Sequence, residues 1–344
     1  MSGRIGVGFL GAGQATQAIH LPTLATLEDR FRVAHVMDAD PAVGAAVAAR
    51  AGARFSTNSV AVMDDPEVEV IAICSPNRFH ADQIEAACRA GKRAILCEKP
   101  LATTYEEARR IADASAASGT PMIVGTMHAF DPAFMAARAA WDAAGATARL
   151  VRSTIYLPGD AEMIAQATEP ILPVPPAAPP GPPPAPPTPQ QMIRRAVLGL
   201  AIHNTPLVRW LVPSVGKVRA ARFLPPSGYV LSFGDEERSV QMIAFTGGQW
   251  RPAWTFQAWG QGAALNVNFP PSYVLAGSAQ ADLRSVDGRR SWHFAHNGYQ
   301  EEWDQVAAIV RGERTAPPVA EAVAELDYAL AIADGAERAM EVAP

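Results

Sequence analysis

Residues 4–20 read RIGVGFLGAGQATQAIH, and the fold follows from this stretch. RIGVGFL (4–10) is a short apolar run, and the turn Gly11-Ala-Gly13-Gln-Ala-Thr16 follows it and opens a helix near Gln14. A glycine turn between a strand and a helix lets the backbone approach a pyrophosphate at the helix N-terminus, so Gly11, Gly13, Gln14 and Ala15 are candidate phosphate contacts. Thr16 stands where a third small residue, Gly or Ala, is usual in this fingerprint. A second apolar run, RVAHVM (32–37), completes a β-α-β unit, and Asp38 ends it. A carboxylate there accepts from both ribose hydroxyls of an adenosine, which favours NAD over NADP: a 2′-phosphate would meet its charge, and Ala39-Asp40 supplies no cation.

The alternation continues outward. ARF (53–55), VEVIAIC (68–74), KRAILC (92–97) and PMIVGTM (121–127) read as strands, with helices at ADQIEAACRAG and TTYEEARRIADASAASG; Gly91 and Gly119 stand at C-cap positions. Strands apolar throughout and alternating with helices predict a parallel sheet covered on both faces, a doubly wound Rossmann domain over residues 1–125. From 126 to 344 the pattern predicts an α+β domain with a large, mostly antiparallel open sheet. It comprises a helix from Asp131, a strand at ARLVRSTIYL, a helix around Gln190–Leu211, strands across 217–295 with turns at PPSG, FGDEE, TGGQ and VDGRR, and helices at 299–311 and 319–340. The loop 170–189 holds twelve prolines; it cannot be helix or central strand and reads as a spacer or a lid. Trp250, Trp254, Phe256 and Trp259 suggest either an apolar open sheet face through which the chain forms a homo-oligomer or, nearly as well, core packing.

The net charge of −5, from 29 basic and 34 acidic residues without a basic run, argues against a nucleic-acid partner or an anionic membrane surface. With no spanning apolar stretch and no signal-peptide pattern, the expected location is cytoplasmic. Cys74, Cys88 and Cys97 form no disulfide framework or CxxC pair and read as buried thiols. No His or carboxylate cluster has metal spacing, so no metal is expected.

Two further segments lie at C-terminal strand ends, where ligands bind in open α/β sheets: Ser75-Pro76-Asn77, leading to His80, and Cys97-Glu98-Lys99-Pro100. The succession GAGQATQAIH (11–20), SPNRFHADQIEAACRAGK (75–92), CEKPLATTYEEA (97–108) and VGTMHAFDPAF (124–134) resembles the Gfo/Idh/MocA family of oxidoreductases across the whole N-terminal domain. The resemblance implies that Lys99 reaches the substrate hydroxyl or carbonyl beside the nicotinamide. Glu98 would contact cofactor ribose or order the lysine, and Pro100 would follow a cis peptide bond. It also implies a catalytic histidine on a helix of the second domain, which His203 in LGLAIHNTPLVRWL (198–211) matches. An imidazole with an unperturbed pKa near ~6.5 suits proton exchange close to neutrality. The family's Asp four residues earlier is Gly199 here, and Pro206 stands where another acid is common. His20 is expected to pack near the cofactor loop, His80 either to touch the cofactor or to take a structural role at a helix N-terminus, and His128 and Asn204 to face substrate.

The implied activity is an NAD-dependent hydride transfer involving a secondary alcohol or ketone of a sugar, cyclitol or glycosylated metabolite. Gly199 and Pro206 motivate a second reading, a dinucleotide-binding partner or sensor that has lost efficient catalysis. A third is a family branch that uses NAD transiently for an internal redox step or glycoside cleavage.

Overall fold

The computed structural model describes residues 3–171, 186–247, 252–271, 273 and 275–342. Strands β1 (Ile5–Leu10), β2 (Phe31–Met37), β3 (Arg54–Ser56), β4 (Val70–Ile73), β5 (Ala94–Glu98) and β6 (Met122–Gly125) form a parallel sheet in the order β3-β2-β1-β4-β5-β6. Every residue of β1 and β4 is buried, as an all-apolar parallel strand requires when helices cover both faces. The longer helices around this sheet are α1 (Pro41–Ala51), α2 (His80–Arg89) and α3 (Tyr105–Ser118). Local chemistry fixes their ends: Asp40 caps α1, Thr104 and Glu107 form a capping box on α3, and Gly52 and Gly119 close α1 and α3 in the left-handed region.

After α4 (Pro132–Ala143), capped by Asp131, the chain builds a second, eight-stranded sheet. Its strands are β7 (Thr147–Leu157), β8 (Lys217–Leu224), β9 (Gly228–Gly234), β10 (Ser239–Thr246), β11 (Ala253–Gln261), β12 (Ala263–Phe269), β13 (Gln280–Ser285) and β14 (Gly288–Trp292), in the order β14-β13-β12-β11-β7-β10-β9-β8. Among the described strands of this second sheet only the β7–β10 pair is parallel; the other pairs are antiparallel. Helices α5 (Asp160–Ala167), α6 (Pro189–Gly199), α7 (Thr205–Leu211), α8 (Gly298–Val310) and α9 (Val319–Val342) complete the fold. No described helix is long and apolar enough to cross a membrane.

At three points the structure departs from these expectations or decides between them. The helix expected over 190–211 is broken: α6 stops at Gly199, residues 201–203 form a 3₁₀ turn, and α7 starts at Thr205 beside Pro206. Trp254 and Phe256 lie on the covered face of β11, 2% and 0% exposed, so alternation along the strand places them in the core, whereas Trp259 faces out. Helix α5, between β7 and the proline tract, has no counterpart in the sequence reading. Trp250 and residues 172–185 of the proline tract lie outside the described residues.

The last two helices return to the first sheet. Trp303, Val306, Ala307 and Val310 of α8 join the core around β1 and β2, and Leu326, Ala329 and Leu330 of α9 join the core beneath α2 and α3.

Candidate active site

The glycine turn is built as its sequence demands. Gly11 has φ +100°, and a Cβ there would lie 2.7 Å from the Cys74 carbonyl oxygen, so only glycine fits. Thr16 Oγ1 donates to the Gly11 carbonyl at 2.6 Å, which gives the departure from a third small residue a structural use. Asp38 holds the turn from the next strand: Oδ2 accepts from Ala12 N at 2.7 Å and Oδ1 from Asp40 N at 2.9 Å. A carboxylate has further lone pairs for ribose hydroxyls. Nothing stands within 4 Å of where a Gly13 side chain would be, which leaves the turn open to a ligand. Gln17, 3% exposed, donates to the Ala12 carbonyl and exchanges a pair of hydrogen bonds with the Ile171 backbone, tying the turn to the start of the proline tract. The sequence reading missed it.

The end of β5 presents Glu98-Lys99-Pro100, and the Lys99–Pro100 peptide is cis. Glu98 Oε1 accepts from buried His20 Nε2 at 3.0 Å, and Oε2 accepts from Lys99 N at 3.2 Å. His20 Nδ1 in turn accepts from the Trp303 indole N–H at 3.2 Å. Burial works against the Glu98 charge, but hydrogen bonding to His20, the charge of Lys99 and the Lys99 peptide N–H outweigh it and hold the carboxyl below its usual range. His80 starts α2. It is 1% exposed, and its two ring nitrogens lie 2.8 and 2.9 Å from the Pro100 and Ser75 carbonyl oxygens, so it clamps the two strand ends together.

Lys99 Nζ donates to the Gly199 carbonyl at 2.9 Å. The position that lacks the expected carboxylate thus supplies a peptide oxygen. Lys99, Gly199 and His203 line one cavity of about 520 Å³ between the two sheets, with Met163, Trp254 and Tyr273 among its other walls. His203 stacks edge-on to Trp254, with ring centroids 5.2 Å apart, and its buried Nδ1 has no hydrogen-bond partner among the described residues. Burial, followed by the charge of Lys99, pushes the His203 pKa well below its ordinary value, so the ring is neutral at physiological pH.

His128 and Asn204, the expected substrate contacts, are buried and bonded to each other. His128 stacks on Phe269 at 3.9 Å, and its Nδ1 lies 2.8 Å from Asn204 Oδ1. That oxygen also accepts from Trp254 Nε1 at 3.1 Å, while Asn204 Nδ2 donates to Ser153 Oγ at 2.7 Å. Asn204 is fully buried and spends its amide fastening the floor beneath His203. Burial drops His128 to a pKa of about 3. Among the described residues no group of three or more His, Cys, Asp or Glu could hold a metal.

A family model described as "Oxidoreductase family, NAD-binding Rossmann fold" matches residues 5–126. These residues belong to the Gfo/Idh/MocA family. Inositol 2-dehydrogenase 2 of Saccharopolyspora erythraea is 41% identical to this chain over 135 residues, 39% of this chain and 38% of that protein, which is well short of two thirds of its length. Inositol 2-dehydrogenase 1 of the same organism is 28% identical over an alignment covering 98% of this chain and 93% of that one. The fold of levoglucosan dehydrogenase, solved in complex with NADH and levoglucosan, superposes with a TM-score of 0.73 over 98% of both chains at 20% identity. The fold of a parallel sheet followed by a large, mostly antiparallel sheet is therefore shared along the chain.

Proposed function

We propose that this chain is an NAD-dependent dehydrogenase acting on a secondary alcohol of a sugar or cyclitol, with Lys99 and His203 as its catalytic residues. The observation that carries this reading is that Lys99 and His203, one at the end of β5 and the other in the 3₁₀ turn after α6, line the same cavity. The glycine turn, Asp38, the Ser75-Pro76-Asn77 segment and Glu98 would hold the dinucleotide, and Gly13 leaves space for it. The bound nicotinamide would supply the hydride acceptor. Lys99, positively charged, stabilises the developing negative charge on the reacting oxygen. His203, neutral because burial and Lys99 disfavour its cation, is ready to accept the hydroxyl proton without first losing one. Reduction of the ketone runs through the same groups in reverse.

The joint presence of these two side chains also weighs against the sensor reading. Isothermal titration with NAD⁺ and NADP⁺, followed by NADH absorbance during a screen of sugars and cyclitols, tests the proposal. We expect preferential NAD⁺ binding that Asp38→Ala weakens, and Lys99→Met lowering kcat by about 10²-fold or more while NAD⁺ affinity is retained. Failure of both dinucleotides to bind at millimolar concentration would refute it. We further propose that copies pair through the outer face of the second sheet, where Tyr156 is 40% and Trp259 38% exposed. Sedimentation of the wild type against Trp259→Lys decides that point, and a wild-type monomer at micromolar concentration removes it.

A further inference from the structure

We infer that the cavity takes a sugar or cyclitol carrying an oxyanion substituent, a carboxylate or a phosphate, and that Arg195 is the residue that selects it. Only the carbohydrate part of this inference rests on the dehydrogenase reading above.

Two consecutive arginines of α6 have different fates. Arg194 is committed to α9, where it bonds Asp334 and Glu337. Arg195 lines the cavity and is solvent-accessible, and among the described residues it makes no hydrogen bond or ion pair. Successive residues on a helix diverge by about 100°, so anchoring Arg194 on α9 turns its neighbour toward the cavity. Four residues on, and hence on the same helix face, Gly199 accepts from Lys99 Nζ. Arg195 is thus rooted one helical turn before the residue that Lys99 binds, and lines the same cavity.

The cavity therefore presents two cationic side chains, Lys99 and Arg195, in a chain whose net charge is −5. None of its described lining residues is Asp or Glu. A site for a neutral polyol gains from carboxylates that accept its many hydroxyl protons; ammonium and guanidinium groups only donate. An oxyanion on the substrate meets the planar guanidinium fork of Arg195 with paired hydrogen bonds. Across the cavity, Ser227 Oγ and Thr246 Oγ1, 2.9 Å apart, offer neutral partners for the remaining hydroxyls. The competing explanation is that Arg195 merely favours the C-terminal half of α6 through the helix dipole, which requires no ligand.

The test uses the full chain loaded with NAD⁺ and titrates D-glucuronate, D-glucose 6-phosphate, D-glucose and myo-inositol by calorimetry, with Arg195→Gln in parallel and NAD⁺ affinity as the folding control. We expect one of the two anions to bind at least about tenfold more tightly than either neutral compound, and Arg195→Gln to abolish that preference. Which anion wins tells carboxylate from phosphate. Equal or weaker binding of both anions, or a preference that survives the substitution, overturns the inference. NADH absorbance from the same mixtures reports separately on the dehydrogenase reading: Arg195-dependent anion binding without NADH from any compound sinks that reading and leaves this one, whereas turnover of neutral compounds without anion preference does the reverse.

Discussion

At position 199 the main chain meets Lys99 where the family resemblance leads one to expect an acidic side chain. The Gly199 carbonyl accepts from the ammonium, and a Cβ added there would touch nothing within 4 Å. Gly199→Asp is therefore sterically admissible and would set a carboxylate beside Lys99, one turn before His203. Its sign follows from the present balance. Burial and the Lys99 charge depress His203, and an added negative charge favours the imidazolium, so the pKa moves up toward ~6.5. Proton NMR of the imidazole should record that rise, and the acid limb of kcat/KM, which lies below pH 6.5 in the wild type, should move up with it. A midpoint that stays put would mean that the side chain at 199 turns away from the site. The carboxylate's nearness to the C-terminal end of α6 costs about 0.3–1 kcal/mol, too little to unfold the helix. Of this site, Lys99 was legible because a strand end followed by Glu98-Lys99-Pro100 is a local pattern. His203 was legible as a residue but not as a conformation, since nothing in the local pattern indicated that a 3₁₀ turn at 201–203 would separate two helices there. That break is also why Asn204, assigned to substrate on the sequence, turns inward to bind His128, Trp254 and Ser153.

Among the elements, α8 has the most distant influence on the site. Its Trp303 donates to His20, which binds Glu98, which in turn receives the Lys99 peptide N–H. No sequence pattern signals a hydrogen bond between residues 283 positions apart. The same helix carries Glu302, fully buried, with neither carboxyl oxygen bonded among the described residues. Burial, reinforced by the nearby Glu98 charge, pushes its pKa well above 4.5. The native state therefore keeps a proton that the unfolded chain releases, and stability is greatest below pH 4.5 and lost as pH rises through the native value. Within that window the loss reaches at most about 1.4 kcal/mol per pH unit. Glu302→Gln should remove this contribution, so that urea denaturation at pH 5 and pH 8 shows the variant gaining on the wild type at the higher pH. Parallel behaviour of the two proteins across that range would remove Glu302 as the source.

On the scale of the whole molecule, the two sheets share their covering helices. The first sheet was readable from its apolar strands and glycine turn, and the second from its turn signals, because both are local patterns. That α8 and α9 would fold back onto the first sheet was not, because an amphipathic helix shows only that it has an apolar face and not which surface covers it. A chain ending at residue 297 would leave the cores around β1 and beneath α3 without Trp303, Val306, Leu326 and Leu330. Loss of one buried Trp alone costs about 3–5 kcal/mol, a large part of an ordinary domain's stability. We expect that truncation to melt without a cooperative transition in circular dichroism and to lose NAD⁺ binding. Full-length affinity in the truncated chain would show that the nucleotide sheet stands by itself.

The return of α8 to the first sheet also bears on how the protein is made. A ribosome completes β6 at Gly125 and then translates about half the chain before Trp303 emerges. Through that interval the nascent nucleotide sheet has an apolar face that its own sequence has yet to cover. Such a face is open to non-native partners during synthesis, so the vulnerable stage of this protein's life comes before its last helices leave the exit tunnel.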